Sequence, residues 1–199
     1  MNLILAAVIA YLIGNISFSL LIGKIFFKKD VRDYGSGNAG TTNMIRAFGA
    51  KIGVITFVGD MLKGVLAAYI GKLIGGIEGC YLAGLMVIIG HNWPVFLKFK
   101  GGKGVATTIG VMLYVLPLQT FICFIIGFSI AFFTRLVSLG SLIGVGISPI
   151  AILLTVRPFD IKLFMFSLIY TGMCLFKHRG NIIRLIKKEE RKLWKQLVY

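Results

Sequence analysis

The chain has 199 residues, of which 57% are hydrophobic and only 15% are charged. A soluble domain is about 45–50% apolar and about 25% charged, so these proportions exclude a typical water-soluble enzyme. The formal net charge of +15 suits a nucleic acid, an anionic lipid surface or an anionic substrate. In a lipid-embedded chain, basic cytoplasmic loops and anionic head groups explain most of this excess. We therefore expect the lipid bilayer, and no nucleic acid, as a partner.

The apolar residues are grouped in seven long blocks, a pattern that indicates membrane-spanning helices. Backbone polar groups in lipid must be hydrogen-bonded within their own segment, so the blocks predict an all-α polytopic membrane protein with seven transmembrane helices. The first block lacks a short apolar core followed by a small-residue cleavage site, and we interpret it as a retained span rather than a signal peptide. The blocks cover residues 2–27, 52–74, 79–97, 105–116, 118–134, 139–156 and 161–176.

Pro117 decides whether the fourth and fifth blocks are two short helices or one long helix. With a break there and the N-terminus outside, nearly all of the 22 Lys and Arg residues lie on the cytoplasmic side, as the positive-inside rule requires. Only Lys72, Arg157 and Lys162 are then outside, and Lys63 lies within a span. One continuous helix would carry the basic C-terminal tail outside. The sequence therefore predicts seven spans, with the N-terminus outside and the C-terminus in the cytoplasm.

No internal repeat or low-complexity linker is visible, so residues 1–199 are predicted to form a single integral-membrane domain. Residues 179–199 form a basic cytoplasmic tail whose apolar residues fall on one side of a helix, as expected of a helix lying on the inner leaflet. The three cysteines are too widely spaced for a metal site or an obvious disulfide, and we interpret them as inert buried thiols. The apolar residues of the tail are Ile182, Ile183, Leu185, Ile186 and Leu193.

The first cytoplasmic segment with candidate chemistry, residues 33–46, combines glycines, hydroxyl and amide side chains, and one arginine. Glycine allows a positive φ and a close approach of the backbone to a ligand. The planar guanidinium of Arg46 suits bidentate contact with a phosphate. A polar turn that caps the next helix is the simpler alternative, but such a turn needs only about two or three such residues. The others in this set are Gly35, Ser36, Gly37, Asn38, Gly40, Thr41, Thr42 and Asn43.

The second segment, residues 90–108, contains Gly101, Gly102 and Gly104 around Lys103, immediately before an apolar helix. Backbone N–H groups at a helix start, beside a lysine, form an anion-binding site. The segment is not a Walker A loop, because that pattern requires Ser or Thr directly after the lysine, where this chain has Gly104. Taken alone, these four residues are equally consistent with a flexible interfacial turn that carries a snorkelling lysine.

The third segment, residues 177–184, follows the last apolar block and contains His178 and Asn181. In a helix these two residues share a face because they are three positions apart. A lone histidine is usually structural, but in a basic cluster near two phosphate-like loops substrate contact is equally expected. Ser138 and Ser141 supply further hydroxyl groups in the remaining cytoplasmic turn.

Further polar residues lie within the apolar blocks. Asp60 and Lys63 are one helical turn apart in the second block. Charges at that depth are costly, so these residues either pair with each other or line a polar interior, and we favour a structural pair. His91 and Asn92 are interpreted as interhelical hydrogen-bond partners rather than as catalysts.

The three segments together resemble the bacterial acyl-phosphate:glycerol-3-phosphate acyltransferase (PlsY-type) family, in the family's order and over essentially the whole chain. The matching sequences are Gly-Ser-Gly-Asn-Ala-Gly-Thr-Thr-Asn-Met-Ile-Arg, Gly-His-Asn-Trp-Pro-Val-Phe-Leu-Lys-Phe-Lys-Gly-Gly-Lys-Gly-Val-Ala-Thr and Lys-His-Arg-Gly-Asn-Ile. The resemblance implies an enzyme of the bacterial inner (cytoplasmic) membrane whose active site faces the cytoplasm. Its expected reaction transfers an acyl group from acyl phosphate to glycerol 3-phosphate, giving lysophosphatidic acid and inorganic phosphate in phospholipid biosynthesis. Neither a metal nor another cofactor is expected to take part.

The resemblance also implies roles for the matching residues. The glycines of the second motif are expected to form the acyl-phosphate loop, and Lys103 is expected to bridge phosphates. A glutamate of the third motif, expected to be structural, corresponds to Glu189 or Glu190. The candidate catalytic residues are Ser36, Arg46, Lys103, His178 and Asn181. The candidate substrate-binding residues are Gly37, Asn38, Gly40, Thr41, Asn43, Gly101, Gly102, Gly104, Ser138 and Ser141.

The charge pattern is consistent with two phosphate-bearing substrates, because such a site must hold two anions close together. Acyl phosphate is already activated, so the protein need only place the acceptor hydroxyl and stabilise the developing charge. Basic neighbours oppose protonation of His178, and we expect it to orient glycerol 3-phosphate while the substrate supplies its own base. The alternative function is a transporter or channel for a small anion such as phosphate. That function requires a site near the bilayer midplane, whereas these motifs lie at one face.

Overall fold

The computed structural model describes residues 2–193, and within this range the chain is helical and contains no strand. The all-α prediction is therefore confirmed. The described residues form ten α-helices and two short 3-10 turns, Val31–Asp33 and Val95–Leu97. The helices are α1 (Asn2–Asn15), α2 (Phe18–Phe27), α3 (Thr41–Phe48), α4 (Ala50–Asn92), α5 (Val105–Val115), α6 (Pro117–Thr134), α7 (Val137–Gly146), α8 (Ser148–Thr155), α9 (Ile161–Lys177) and α10 (Arg179–Ile186).

Four helical segments within residues 2–193 have the length and composition needed to cross a membrane. One of them contains α4, whose 43 residues include non-helical backbone at Gly75 and Gly76. The two arms on either side of these glycines correspond to the second and third apolar blocks. With 11 and 17 residues, α5 and α9 are shorter than a regular span. The count of seven spans and their orientation stay predictions. The four segments are Asn2–Phe27, Ala50–Leu97, Pro117–Thr134 and Val137–Thr155.

Prolines and polar caps set where several helices begin and end. Pro117 lies in the first turn of α6, so the chain breaks between α5 and α6 where the sequence predicted. The third block was predicted to run to residue 97, but α4 ends at Asn92, because Pro94 disfavours helical backbone in the residue before it. The first and sixth blocks are each divided into two helices, at Ser17 and at Ile147.

Among the described residues, the chain divides into two compact units, residues 2–114 and residues 115–193. The first unit contains α1 to α5 except for Val115, the last residue of α5, and the second contains α6 to α10. That the whole chain is a single integral-membrane domain stays a prediction.

In the first unit, small residues allow close contact between helices. Ala6, Ala10 and Gly14, spaced four residues apart, are buried along one side of α1. A Cβ atom on Gly14 would lie 2.9 Å from the Cα atom of Gly90 in the second arm of α4. A Cβ atom on Gly110 of α5 would likewise collide with the backbone of the first arm of α4. In lipid, such close backbone packing is a main attraction between helices.

The two arms of α4 fold back on each other at the turn formed by Gly75 and the next residue. Near the turn the backbones touch, because a Cβ atom on Gly79 would collide with the carbonyl oxygen of Gly71. The start of α1 lies beside this turn, since the side chain of Leu3 is 2.7 Å from where a Cβ atom of Gly75 would be. The loops that carry the first two motifs therefore lie together at the opposite end of the first unit.

In the second unit, α6 and α7 pack closely, because a Cβ atom on Gly127 would be 2.7 Å from the carbonyl oxygen of Gly140. Both α7 and α8 contact α9. The hydroxyl oxygens of Ser148 and Tyr170 are 2.7 Å apart, which fixes the start of α8 against the middle of α9. The third motif follows directly, at the junction of α9 and α10.

Candidate functional site

The loop of the first motif is organised by the buried side chain of Asn43. Its Nδ2 donates to the carbonyl oxygens of Val31 and Tyr34 at 2.8 and 2.9 Å. Its Oδ1 accepts from the backbone N–H of Ser36 at 2.9 Å. Gly35 has a φ of +55°, and a Cβ atom there would collide with Asn43 Oδ1, so this position requires glycine. These contacts fix the loop with Ser36 on the exposed surface.

Two arginines near this loop differ in their surroundings. Arg32 forms a bidentate ion pair with Asp30, with Nη2–Oδ2 at 2.7 Å and Nε–Oδ1 at 3.0 Å. The hydrogen bonds from this guanidinium lower the pKa of the Asp30 carboxyl. Arg46 lies in α3 and is half-buried, and its Cβ atom is 3.7 Å from where a Cβ atom of Gly35 would be. Arg32 is thus held by Asp30, and Arg46 lies beside the turn at Gly35, where its planar guanidinium suits bidentate contact with a phosphate.

The remaining residues of the first motif lead from the loop into α3. The N–H of Gly37 donates to the carbonyl oxygen of Tyr34 at 3.0 Å, and that of Gly40 donates to the carbonyl oxygen of Asn38 at 3.1 Å. Gly40 is the N-cap of α3, which begins at Thr41. The first N–H groups of a helix need partners from outside it, so the start of α3 adds donors to this loop.

The glycine loop of the second motif packs directly on the C-terminal end of α4. The N–H of Gly102 donates to the carbonyl oxygen of His91 at 3.1 Å. A Cβ atom on Gly101 would collide with that same oxygen, and one on Gly104 would be 2.8 Å from Oδ1 of Asn92. Packing against α4 therefore requires these glycines, independently of any ligand that the loop binds.

The two loops adjoin each other within the first unit. A Cβ atom on Gly102 would lie only 2.8 Å from the carbonyl oxygen of Ala39 in the first loop. Ala39 belongs to a buried apolar cluster, and Leu97 of the second motif packs against this cluster. The structure therefore brings the loop that carries Ser36 and the loop that carries Lys103 together, as a shared site requires.

Three ionisable side chains are buried next to the second loop, with exposed fractions of 1% for Asp60, 4% for Lys63 and 6% for His91. The Nζ atom of Lys63 is 2.8 Å from Asp60 Oδ1 and 2.8 Å from His91 Nδ1. It also donates to the carbonyl oxygens of Gly14 and Ile16, at 3.2 and 2.5 Å. The predicted pair of Asp60 and Lys63 is confirmed, and so is the hydrogen-bonding role of His91. No local pattern indicates that Lys63 and His91, 28 residues apart, meet.

In the second unit, His178 lies where α9 ends and α10 begins, and only 2% of it is exposed. Its Nδ1 is 2.9 Å from the carbonyl oxygen of Cys174. Because a carbonyl only accepts, Nδ1 carries a proton, and in the neutral ring Nε2 is the acceptor nitrogen. A neutral carbonyl fixes the orientation of the ring but adds no negative charge that would stabilise an imidazolium.

Glu190 connects several residues of the second unit. Its Oε1 accepts from Ser138 Oγ at 3.0 Å and from Asn181 Nδ2 at 2.6 Å, and its Oε2 accepts from Arg184 Nε at 2.8 Å. The Glu190 side chain is 6% exposed, whereas Glu189 is an exposed residue. Of the two candidates for the structural glutamate, Glu190 therefore has the contacts of such a residue. Ser138 and Asn181, both candidate site residues, are brought together through it.

The predicted helix of the tail is shorter than expected. It ends at Ile186, and Lys188 has a φ of +57°, a left-handed conformation that cannot continue an α-helix. Leu193 therefore does not lie on the predicted helical face, and its N–H donates to the carbonyl oxygen of Arg135 at 3.0 Å. Ile183 and Ile186 are exposed, as the predicted face requires. The rest of the predicted tail, residues 194–199, lies outside the described residues.

The remaining candidate residues are distributed over both units. Ser141 is half-buried on α7, three residues after Ser138. Within residues 2–193, no group of three or more His, Cys, Asp or Glu side chains is arranged to hold a metal. The candidate residues of the first two motifs thus lie in the first unit, and those of the third motif, with Ser138 and Ser141, lie in the second.

Comparison with known proteins agrees with this arrangement of motifs. The sequence profile of the glycerol-3-phosphate acyltransferase family matches residues 4–188. The chain belongs to this family. A glycerol-3-phosphate acyltransferase of Thermoanaerobacter pseudethanolicus is 46% identical over 194 residues, covering 97% of this chain and 96% of the relative. One of Clostridioides difficile is 42% identical over 196 residues, covering 96% of this chain and 95% of the relative.

Solved structures of one family member have the same fold. The crystal structure of PlsY (YgiH), an integral membrane glycerol 3-phosphate acyltransferase, in its glycerol 3-phosphate form has a TM-score of 0.89 and 35% identity, with 96% of each chain covered. The lysophosphatidic acid form has a TM-score of 0.87 and 34% identity, covering 96% of this chain and 95% of that one. The family expected from the three motifs is confirmed, and the chain is a multi-pass membrane protein.

Proposed function

We propose that this acyltransferase takes its acyl group from acyl phosphate, transfers it to glycerol 3-phosphate, and releases lysophosphatidic acid and inorganic phosphate. Membership of the family supports acylation of glycerol 3-phosphate in phospholipid synthesis. The two forms of PlsY, with glycerol 3-phosphate and with lysophosphatidic acid, correspond to the acceptor and the product of this reaction. The loops of the first unit support acyl phosphate as the donor.

The observation that carries the proposal is the contact between the two glycine-rich loops at Gly102 and Ala39. Two phosphate-bearing substrates repel each other, so their site needs positive charge and N–H donors on both sides. Arg46 stands beside the first loop, and Lys103 lies within the second. The second loop leads into the N-terminus of α5, whose partial positive charge favours an anion. We assign residues 101–104 to the phosphate of the donor, with Lys103 bridging the phosphates.

In the proposed reaction, a hydroxyl oxygen of glycerol 3-phosphate attacks the acyl carbonyl carbon, and the bond from that carbon to the bridging oxygen of the phosphate breaks. The proton of the hydroxyl passes to the departing phosphate, so atoms and charge balance without another reactant. An acyl phosphate is already activated, and catalysis then consists of placing the two substrates and stabilising the developing charge. We propose Ser36 and Lys103 as the donors that stabilise this charge, and Arg46 as a bidentate ligand of phosphate.

Glycerol 3-phosphate is proposed to be bound by His178 and Asn181. With its proton on Nδ1, the neutral ring of His178 offers Nε2 to a substrate hydroxyl, and no side chain is an indispensable base. Glu190 and Asn43 are proposed to hold their neighbours in position through the hydrogen bonds described above. The further residues proposed to contact substrate are Gly37, Asn38, Gly40, Thr41, Ser138 and Ser141.

We further propose seven spans in the bacterial inner membrane, with the N-terminus outside and the active site facing the cytoplasm. In the first unit, the start of α1 lies at the turn of α4, and the two basic motif loops lie at the other end. This arrangement supports opposite sides of the membrane for the N-terminus and the loops. The positive-inside rule then favours the cytoplasmic side for the basic loops.

Purified protein in detergent, supplied with a long-chain acyl phosphate and glycerol 3-phosphate, tests the donor assignment. We expect equal amounts of lysophosphatidic acid and inorganic phosphate, and no product when acyl-CoA of the same chain length replaces the acyl phosphate. Lys103→Met should lose most activity. Lys100→Met, which removes an exposed lysine of the same loop, is the matched control and should retain it. Equal product from acyl-CoA, or equal activity of the two variants, contradicts the proposal.

A further inference from the structure

We propose that His91 positions the glycine loop of the donor site, and that the buried pair of Asp60 and Lys63 holds the imidazole of His91 in place. This inference rests on the proposed function, because it takes residues 101–104 as the loop that binds the phosphate of acyl phosphate. His91 is a positioning residue, which acts on the donor through the backbone of the loop.

The hydrogen bond between Lys63 and His91 defines which ring nitrogen carries the proton. The ammonium of Lys63 can only donate, so Nδ1 of His91, at 2.8 Å, accepts from it. The neutral ring then carries its proton on Nε2. Asp60 Oδ1 is farther from Nδ1, at 3.5 Å, and instead pairs with Lys63. One edge of the imidazole is thus anchored by the ion pair, and its other nitrogen is a donor.

The opposite edge of the ring lies against the loop. A Cβ atom on Gly102 would collide with Nε2 of His91 and lie 2.9 Å from its Cε1. The backbone carbonyl of His91 meanwhile accepts the N–H of Gly102 at 3.1 Å. The side chain and the backbone of His91 therefore contact the same loop residue. The carbonyl oxygen of Ala39 in the first loop lies 2.8 Å from the same Cβ position of Gly102. The position of His91 therefore also affects the contact between the two loops.

Four acceptor atoms surround the ammonium group of the anchor. Around the ammonium of Lys63 stand Asp60 Oδ1, His91 Nδ1 and the carbonyl oxygens of Gly14 and Ile16. The carbonyl of Gly14 belongs to the last turn of α1, where helix carbonyls lack partners and carry partial negative charge, and Ile16 follows directly after the helix. Charges buried at this depth are costly, and they are retained where they serve a function. A loop held in its binding conformation before the donor arrives loses less freedom on binding, which favours affinity for the donor.

Two substitutions of His91 separate the anchor from the loop contact. His91→Asn keeps an acceptor at the Nδ1 position, near Lys63, but removes the group that contacts Gly102. His91→Gln places a donor at the Nε2 position but loses the acceptor near Lys63. We expect His91→Asn to raise the KM for acyl phosphate about tenfold or more, with a change of less than about twofold for glycerol 3-phosphate. His91→Gln should recover part of the KM for acyl phosphate despite a lower melting temperature.

Thr56→Val is the matched control, because Thr56 is also buried in α4 but its hydroxyl bonds only within the helix, to the carbonyl oxygen of Ile52. It should leave both KM values unchanged. An unchanged KM for acyl phosphate in His91→Asn overturns the inference, as does an equal rise in both KM values with no recovery in His91→Gln. If the wild type makes no lysophosphatidic acid from acyl phosphate, the proposed function fails first. If the wild type makes lysophosphatidic acid from acyl phosphate but the His91 variants have an unchanged KM for acyl phosphate, the inference alone fails.

A second measurement does not depend on comparing conservative variants. Gly102→Ala should raise the KM for acyl phosphate, because the new methyl group collides with the ring of His91. In a His91→Ala background this collision is absent, so the same change at Gly102 should raise the KM by a smaller factor, with a residual effect from the Ala39 carbonyl. Independent, multiplicative effects of the two substitutions contradict the inference, because residues in contact are expected to be coupled.

Discussion

Replacing Glu190 by alanine removes a carboxylate that accepts hydrogen bonds from Ser138, Asn181 and Arg184 in the second unit. Ser138 and Asn181 are each 7% exposed, so their donors are left buried without this acceptor. A hydrogen bond to a charged group contributes about 1.5–3 kcal/mol, and we take the lower value for each of these two. The Arg184 side chain is 41% exposed, so its ion pair adds only about 0.5 kcal/mol. The expected loss in the free energy of unfolding is about 3.5 kcal/mol.

This loss should lower the melting temperature in detergent by about 7–14 °C, at about 2–4 °C per kcal/mol for a chain of this size. The three cysteines are buried, so a thiol-reactive fluorophore that labels them on unfolding reports the transition. Glu190→Gln retains one acceptor oxygen and should lose only about 1 kcal/mol. The matched control is Glu189→Ala, which removes the exposed neighbouring carboxylate and should change the melting temperature little. If Glu190→Ala melts like Glu189→Ala, the structural role assigned to Glu190 is wrong.

Three further predictions concern the site and its topology. Arg46→Lys should lower kcat/KM about tenfold or more, about 1.4 kcal/mol, because the bidentate fork is lost while the charge is kept; full activity would limit Arg46 to an interfacial anchor. His178→Ala should weaken binding of glycerol 3-phosphate, and His178→Gln should recover part of it. The profile of kcat against pH tests the alternative that His178 is the base. That alternative requires a limb near the pKa of a histidine in the wild type, and both this limb and about 10³-fold of the rate should then be lost in His178→Gln. A cysteine at Gly76 should be labelled by a membrane-impermeant reagent from outside and one at Lys100 only from the cytosol; labelling of both from the same side would contradict the topology.

Much of the helical framework was predictable because it depends on local properties of the sequence. The long apolar blocks gave the positions of the helices, and Pro117 marked the break between α5 and α6. Pro94 ends α4 before the predicted end of the third block, because proline disfavours helical backbone in the residue before it. The first two motifs were identifiable because their glycines and polar residues are adjacent in sequence, although their contact at Gly102 and Ala39 depends on how α4 folds back.

The contacts that organise the site were not predictable, because they join residues far apart in the chain. Spacing along a helix indicated the pair of Asp60 and Lys63, but not that the fold brings His91 to the same lysine. The sequence predicts that the glycines of the second motif form an anion-binding loop, and the structure adds close packing on α4 as a second reason for glycine. Asn43 is a candidate substrate-binding residue because of its position in the first motif. In the structure its side chain makes three hydrogen bonds that hold the backbone of this loop in place. Only long-range geometry distinguishes Glu190 from Glu189.

The central claim is acyl transfer to glycerol 3-phosphate with cleavage between the carbonyl carbon and the bridging oxygen of acyl phosphate. Acyl phosphate labelled with heavy oxygen at the bridging position tests it directly when the products of the purified protein are analysed by mass spectrometry. We predict that the label appears entirely in inorganic phosphate and that lysophosphatidic acid is unlabelled, because its ester oxygen comes from glycerol 3-phosphate. Label retained in a released fatty acid, with phosphate transferred to the acceptor, would contradict the proposed reaction.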